Sequence, residues 1–252
     1  MPGWDYRLAA HAGLLALALS SATASSSVAG PPYVTDDPEP TETEHWENYL
    51  YTESTHVAGQ TVRPEAGIEI NYGAFADTQL SLSLPLNPNP GPGGMGVVWA
   101  PLGGGVKYRF IEEDDKGWRP QVAFFPQAFI PVGPANRGAP VTELFPIWLQ
   151  KSLGDWTMFG GGGYTHNPGS LNKDFASYGI TLQRQVVGNL AVGVEVFGQG
   201  ADTTTDHASA AVGVGAIYDF SELWHLVSSA NTGISNARAD RFSFNLALKW
   251  TP

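Results

Sequence analysis

The chain has 252 residues and a formal net charge of −11, from 13 Lys+Arg against 24 Asp+Glu. Charged residues make up only 15 %, whereas hydrophobic residues make up an ordinary 42 %. An acidic chain without a basic cluster excludes a nucleic-acid-binding protein, and the absence of cysteine excludes a disulfide scaffold and a thiolate metal site. The 30 glycines and 19 prolines indicate many turns and few long helices.

Residues 1–24 have the pattern of a secretory signal peptide. Arg7 supplies a positive start, residues 14–19 form an apolar run, and Ala22-Thr23-Ala24 is a small-x-small cleavage site. A buried N-terminal helix is the alternative, because Asp5 offsets the charge of Arg7. The sequence beyond this region has no run of about 20 apolar residues, the length that a helical membrane span needs.

Residues 25–44 are rich in serine, proline and acidic side chains, and proline at this density opposes both helix and sheet. We expect an extended N-terminal segment here. Its carboxylates Asp36, Asp37 and Glu39 have the oxygen ligands that cations prefer, but no calcium-loop spacing is present, so a solvated acidic turn is favoured. A further hypothesis is that this segment, including Tyr33, folds back as a plug into the structure that follows.

From residue 45 onward, apolar side chains recur at every second position, which predicts strands with one apolar face. The clearest runs are 68–72, 78–86, 106–110, 192–197 and 242–250. Less regular candidates lie at 46–55, 121–130, 144–151, 156–165, 178–183, 210–218 and 223–232. Turn signals separate them, the longest at residues 87–94, and Pro126 and Pro146 fall inside candidate strands, where a missing N–H interrupts the ladder.

These runs amount to roughly twelve strands of the length that crosses a bilayer. Three features favour a membrane barrel over a soluble β-sandwich or barrel: the export signal, the alternating final strand, and aromatic residues near many strand ends. The fold class predicted is therefore all-β, with a single antiparallel transmembrane β-barrel over residues 45–252. A secreted soluble β-protein that binds a ligand is the alternative.

A barrel whose apolar face meets lipid must turn its polar face inward, because a charge at the lipid-facing midplane costs about 2–4 kcal/mol. This parity predicts a set of lumen-lining side chains: Glu69, Asn71, Lys107, Arg109, Gln127, Lys151 and Glu195. They either select a solute or form internal ion pairs, Lys107 and Arg109 with Glu69 and Glu195, which stiffen a nearly filled barrel. The second interpretation is favoured, because interior charges need partners whether or not a solute passes.

Four stretches of the sequence form a recognisable set: residues 30–40 with His45-Trp46-Glu47, residues 105–111, residues 148–152 with Gly154 and Trp156, and residues 160–164 with Asn167-Pro168-Gly169. Together they resemble the family described as putative MetA-pathway of phenol degradation. The resemblance implies an outer-membrane barrel that acts as a channel or transporter, with hydrophobic or aromatic compounds as the solute class. The proline- and glycine-rich residues 87–104 and the ending Thr251-Pro252 depart from the family pattern and leave the solute open.

No catalytic signature accompanies these features. The sequence has no Gly-x-Ser-x-Gly elbow, its histidines lack metal-ligand spacing, and the glycine run 160–163 lacks a phosphate-loop ending. We therefore expect a bacterial outer-membrane channel without a cofactor or enzymatic activity, in contact with membrane lipid and a small solute. A non-conducting structural or adhesive barrel is the alternative for function.

Overall fold

The structure is a computed structural model that describes residues 32–56, 63–91, 94–114, 116–236 and 242–252. The predicted signal peptide lies outside these residues. The described strands are β1 (Trp46–His56), β2 (Arg63–Phe75), β3 (Thr78–Gly91), β4 (Gly94–Trp99), β5 (Leu102–Ile111), β6 (Gln121–Phe124), β7 (Gln127–Ile130), β8 (Thr142–Leu153), β9 (Trp156–His166), β10 (Phe175–Val187), β11 (Leu190–Gln199), β12 (Ser209–Asp219), β13 (Trp224–Ser235) and β14 (Phe242–Trp250). A single 3-10 turn, Pro134–Asn136, accompanies them in the described chain. None of the described helical structure is long and apolar enough to cross a membrane.

The strands form one closed antiparallel barrel with twelve positions around its wall. Consecutive strands pair along the chain, and β1 closes the circle by pairing with β14, from Asn48 opposite Trp250 to His56 opposite Phe242. Strands β4 and β5 both pair with β3, so together they occupy one position in the wall. Strands β6 and β7 both pair with β5 and β8 and likewise occupy one position, which gives twelve positions for the fourteen strands. The circle of strand pairing is therefore closed, and the predicted barrel of about twelve strands is confirmed.

The two faces of the wall follow the alternation of the sequence. On β11, the side chains of Val192, Val194 and Val196 are exposed on the outside, whereas Glu195 is buried inside. Strand β5 has the same arrangement, with Val106 and Tyr108 outside and Lys107 inside. Large exposed apolar side chains therefore cover the outer surface while polar ones fill the interior, which is the pattern of a bacterial outer-membrane barrel.

The two prolines inside predicted strands lie at the same place in the wall. Strand β6 ends at Phe124 and β7 begins at Gln127, so Pro126 falls in the gap between them. Pro146 lies on β8 opposite this gap, because β6 pairs with residues 147–150 and β7 with residues 142–144. The carbonyl of Pro146 accepts a bond from the Phe125 amide at 3.2 Å. The candidate strand 121–130 is thus two short strands, and one ladder defect accommodates both prolines.

The prediction of a turn over residues 87–94 was wrong. Strand β3 continues to Gly91 and forms a hairpin with β4, from Leu86 opposite Trp99 to Gly91 opposite Gly94. Beyond Leu86 this part of β3 no longer pairs with β2. Pro88 and Pro90 therefore lie on an edge, where a missing N–H does not interrupt a second ladder.

The two ends of the barrel differ in the length of their connections. One end, the turn end, contains the start of β1 and the two-residue connections 76–77, 154–155 and 188–189, besides the connections 112–120 and 220–223. The other, the loop end, has the connections 131–141, 167–174 and 200–208, each of eight residues or more. Outer-membrane barrels place short turns in the periplasm and long loops outside the cell. Exposed aromatic side chains cluster at the turn end, where Trp46 packs on Tyr72 and Trp224 stacks on Trp250.

Not every aromatic residue of the strands belongs to an interfacial girdle, and three of them lie inside the barrel. Tyr49 and Tyr51 project into the lumen from β1, and the Trp148 side chain of β8 is buried on the inner face of the barrel. Their strand parity places them inside, since each shares a face with buried or lumen-facing neighbours.

Candidate functional site

The interior of the barrel is occupied by the chain's own N-terminal segment, defined here as residues 32–43. Its side chains Tyr33, Thr35 and Asp37 are buried, although the segment belongs to no strand. It enters from the turn end, where Thr43 forms a bridge with Gly73 of β2. One step further inside, the amide and hydroxyl of Thr41 donate to the Gln79 side chain on β3, at 2.7 and 3.0 Å.

Lys107 of β5 is the central attachment of this segment. Its side chain is buried, and the ammonium lies 3.1 Å from the Asp36 carboxylate and 3.7 Å from that of Asp37. It also donates to the Asp37 carbonyl at 2.9 Å. Burial raises the pKa of the Asp37 carboxyl above its ordinary value, and the adjacent ammonium opposes that rise. The acidic turn is therefore paired inside the barrel.

A second group of polar contacts surrounds Glu39. The Arg109 guanidinium donates to one of its carboxylate oxygens at 2.8 Å, and Gln121 of β6 donates to the other. The same guanidinium also pairs with Asp77 in the β2–β3 turn. The segment is thus tied to β5 and β6 by charge-assisted bonds, the stronger class of hydrogen bond.

The opposite wall binds the beginning of the segment through Glu195 on β11. Its carboxylate accepts bonds from the amides of Val34 and Thr35, both at 3.2 Å, and from the Thr35 hydroxyl at 3.1 Å. Strands β5 and β11 lie five positions apart in a twelve-position wall. The segment therefore crosses the lumen from one side to the other.

Glycines make room for the segment on this opposite wall. A Cβ atom at Gly179 of β10 would overlap the Thr35 side chain, and one at Gly193 of β11 would overlap the Tyr33 hydroxyl. At Gly215 of β12, the three nearest atoms to such a Cβ all belong to Tyr33 and Pro32. The three residues lie on neighbouring strands, so together they form a smooth groove that fits the segment.

In the part of the chain that the structure describes, two cavities border different parts of the segment. The larger, of about 330 Å³, extends toward the loop end and is bordered by Tyr33 and Asp36 of the segment. The smaller, of about 220 Å³, lies at the turn end beside residues 39–43, Asp77 and Arg109. The larger cavity is lined mainly by aromatic side chains, carboxylates and small residues: Tyr33, Asp36, Tyr49, Tyr51, Glu53, Glu65, Glu69, Ser81, Ser83, Gly103, Gly104, Gly105, Phe125, Gln127, Phe129, Val227, Asn245 and Ala247.

The structure divides the predicted lumen-lining residues into two groups. Lys107, Arg109 and Glu195 contact the N-terminal segment, whereas Glu69 and Gln127 line the larger cavity. Asn71 connects the two groups. Its side-chain amide donates to Glu69, and its side-chain carbonyl accepts from Gln79. Gln79 in turn accepts a hydrogen bond from Thr41 of the segment. The predicted ion pairs of Lys107 and Arg109 with Glu69 and Glu195 are not formed in the described part of the chain. The segment supplies carboxylate partners for both cations instead.

The prediction for Lys151 was wrong. The register pairs Lys151 with the exposed Met158 of β9, which places it on the outer face with Leu149. It lies at the turn end of β8, where its ammonium is 3.1 Å from Glu113 and donates to the Asp114 carbonyl. Strand parity therefore places Lys151 outside, and a lysine at a strand end can lie there without entering hydrocarbon.

Several interior residues were missed at the sequence level. The most buried is Lys249 of β14, which is fully inaccessible and lies 2.6 Å from the Glu47 carboxylate on β1. The parity of β14 indicates its position, because Ser243, Asn245, Ala247 and Lys249 alternate with apolar residues. The other buried polar side chains include Gln79, Gln121, Gln150, Thr165, Thr181, His225, Ser229 and Asn231.

Groups for metal or nucleophilic chemistry do not converge in the described residues. No three His, Cys, Asp or Glu side chains there are placed to hold a metal ion. His225 does contact an acid and a hydroxyl, Asp219 at 2.6 Å and Thr251 at 3.2 Å. The Thr251 hydroxyl, however, donates to the Glu222 carbonyl at 3.0 Å, so this chain of bonds fastens the C-terminus to the β12–β13 turn.

Comparison with solved structures supports the fold. The COG4313 outer membrane channel from Pseudomonas putida F1 superposes with a TM-score of 0.68 at 12 % identity, over 86 % of this chain and 98 % of that one. The translocator domain of the autotransporter NalP from Neisseria meningitidis is more distant, with a TM-score of 0.47, 12 % identity, and 83 % and 88 % coverage. The outer membrane phospholipase A of Escherichia coli gives 0.45, 10 %, and 87 % and 91 %.

Comparison at the sequence level identifies the family. No curated protein matches the chain. Residues 41–248, which extend from before β1 into β14, match the family described as "Putative MetA-pathway of phenol degradation". That match covers most of the 252 residues, and the chain therefore belongs to this family.

Proposed function

We propose that the protein is a passive outer-membrane channel for small hydrophobic or aromatic solutes, and that its own N-terminal segment limits conduction. The observation that carries this proposal is the larger cavity, which is open space inside a closed membrane barrel. It lies on the loop side of the segment, where a solute would enter from outside the cell.

The lining of this cavity fits an aromatic solute. Tyr33, Tyr49, Tyr51, Phe125 and Phe129 border it, although the rest of the interior is mainly polar. A cavity of about 150 Å³ is enough to hold benzene. The volume of about 330 Å³ therefore accommodates a single ring with a short substituent. Offset or edge-to-face ring contacts contribute about 0.5–1.5 kcal/mol each beyond the area that they bury.

The N-terminal segment gives the barrel two states of different permeability. When the segment is seated, it crosses the lumen between Lys107 and Glu195 and separates the larger cavity from the turn end. When it moves aside, the two cavities join along the polar wall. No energy input is required, because the solute follows its concentration gradient through the lumen.

A non-conducting structural barrel is the second candidate. The buried polar contacts between the segment and the wall favour this candidate. Such contacts would stabilise a permanently filled barrel, and they would equally hold a movable segment in its closed position. The two candidates differ in what happens when the segment is removed.

Deleting residues 30–44 from the mature chain is expected to raise single-channel conductance in planar bilayers severalfold. The reason is that the segment occupies the middle of the lumen, whereas the wall strands begin only at Trp46. A matched variant keeps the length but replaces residues 32–40 with glycine and serine, which removes the contacts and should also raise conductance. Benzyl alcohol should reduce the current through the intact channel, whereas glycerol should not.

The outcome is decisive between the two candidates. Absence of current in all three proteins, with the barrels folded by heat-modifiable gel mobility, would establish the non-conducting barrel. Current that does not respond to benzyl alcohol would remove the aromatic solute class and leave a general channel.

A further inference from the structure

The larger cavity carries charge of one sign. Four carboxylates line it, those of Asp36, Glu53, Glu65 and Glu69, and no lysine or arginine belongs to the lining that the structure describes. Asp36 is paired with Lys107 outside the cavity lining. Among the lining side chains that the structure describes, the three glutamates of the wall then carry the unpaired charge, which is negative.

Two of these glutamates directly oppose each other. Glu53 of β1 and Glu65 of β2 are register partners in the antiparallel ladder. Like charges at directly opposite positions destabilise a strand pair. Glu65 accepts a bond from the Tyr51 hydroxyl at 3.3 Å, and neither glutamate has an ion pair with a described side chain. A bound cation between them would remove this repulsion.

Aromatic rings lie beside the same carboxylates. Tyr49, Tyr51 and Glu53 share the inner face of β1, and a Cβ at Gly67 of β2 would overlap the Tyr51 ring. The Tyr51 ring therefore lies against β2 while it also borders the cavity. Tyr33 borders the same cavity from the segment, next to β11 and β12. A cation over the face of an aromatic ring gains about 0.5–2 kcal/mol, more as it loses water.

We propose that the larger cavity binds a small organic cation, with a single ammonium group on a monocyclic aromatic or alkyl body. The ammonium lies between Glu53 and Glu65, and the apolar body packs against Tyr49, Tyr51 and Tyr33. This inference rests on the proposed function, because it narrows the solute class of the same cavity. It explains why acidic and aromatic side chains lie side by side on β1 and β2.

Binding is tested in detergent with the folded mature protein, where no conduction is needed. The probes are 2-phenylethylammonium, its neutral isostere 2-phenylethanol, and the anion phenylacetate, each titrated by isothermal calorimetry. We expect the ammonium to bind at least about tenfold more tightly than the alcohol, which is a difference of ~1.4 kcal/mol, and the anion to show no binding. Equal binding of ammonium and alcohol would overturn the proposal.

Matched variants locate the site. The Glu53→Gln/Glu65→Gln double variant keeps size and hydrogen bonding and is expected to weaken ammonium binding roughly tenfold while leaving the alcohol unchanged. The control is Glu143→Gln/Glu222→Gln, which removes the same charge outside the cavity lining. Undiminished ammonium binding in the first variant would place the cation elsewhere and refute the proposal. Glu53→Gln alone serves if the double variant does not fold.

The two proposals fail separately. A protein that binds the ammonium in detergent but passes no current in bilayers keeps the cation site and loses the channel. A protein that conducts but binds ammonium and alcohol equally keeps the channel and loses the cation site.

Discussion

Replacing Lys107 with methionine is expected to release the N-terminal segment from the lumen. The variant leaves the carboxylates of Asp36 and Asp37 inside the barrel without their shared cation. Removing one partner of a buried ion pair typically costs about 3–5 kcal/mol, because the remaining charge stays desolvated. The wall strands do not depend on this contact, so the barrel itself should remain folded.

Two measurements report this release. Single-channel conductance should rise toward that of the segment-deleted protein, and a glutamate-specific protease should cleave the segment after Glu42. Lys116→Met, on the exposed β5–β6 loop, removes the same charge and should change neither property. Neutralising both acids with Asp36→Asn/Asp37→Asn in the Lys107→Met background should restore protection. Protection equal to the wild type in Lys107→Met alone would show that other contacts hold the segment.

Replacing Lys249 with methionine is expected to weaken the closing seam of the barrel. Lys249 and Glu47 lie on β14 and β1, the pair of strands that joins the two ends of the wall, and the lysine is fully buried. Its loss leaves Glu47 buried without its cation, for which we expect a loss of about 3–5 kcal/mol of unfolding free energy. The midpoint of urea unfolding in lipid vesicles measures the effect.

The control for this prediction is Lys173→Met, an exposed lysine in the β9–β10 loop, which should leave the midpoint unchanged. Adding Glu47→Gln to Lys249→Met removes the uncompensated charge and should recover most of the loss. An unchanged midpoint in Lys249→Met would mean that the seam is held by backbone pairing alone.

Much of the wall was predictable from the sequence because strand periodicity determines which side chains share a face. In β14, aromatic and aliphatic residues alternate with Ser243, Asn245 and Lys249, and the structure follows that alternation. The same rule placed Lys107 and Glu195 inside. The same rule places Lys151 outside with Leu149, as the structure does. The lumen prediction for Lys151 failed because it put every charge inside, although a charge at a strand end lies beyond the hydrocarbon.

The occupied lumen was predictable only as a hypothesis. The N-terminal segment has no periodicity, and its partners are remote in sequence, with 160 positions between Thr35 and Glu195 and 70 between Glu39 and Arg109. Its fit depends on glycines such as Gly215, whose role becomes visible only when three neighbouring strands are assembled. Composition predicted an extended acidic segment. Which lysine and arginine side chains pair with it, here Lys107 and Arg109, depends on how the closed barrel brings distant parts of the chain together.

The location of the segment inside the membrane-embedded barrel is tested most directly by a disulfide. The chain contains no cysteine, so Thr35→Cys/Gly179→Cys introduces a single pair. The Thr35 Cβ lies 3.0 Å from the Cβ position at Gly179, and a small shift reaches the usual spacing of about 3.5–4.5 Å. The control pair, Thr35→Cys/Gly104→Cys, places its second cysteine on the outer face opposite Leu82.

In intact outer membranes under mild oxidation, the first pair is expected to form an intramolecular disulfide that shifts gel mobility until it is reduced, and the control pair is not. Failure of the 35/179 pair to crosslink in a folded barrel, or equal crosslinking of the control, would contradict a segment that crosses the lumen.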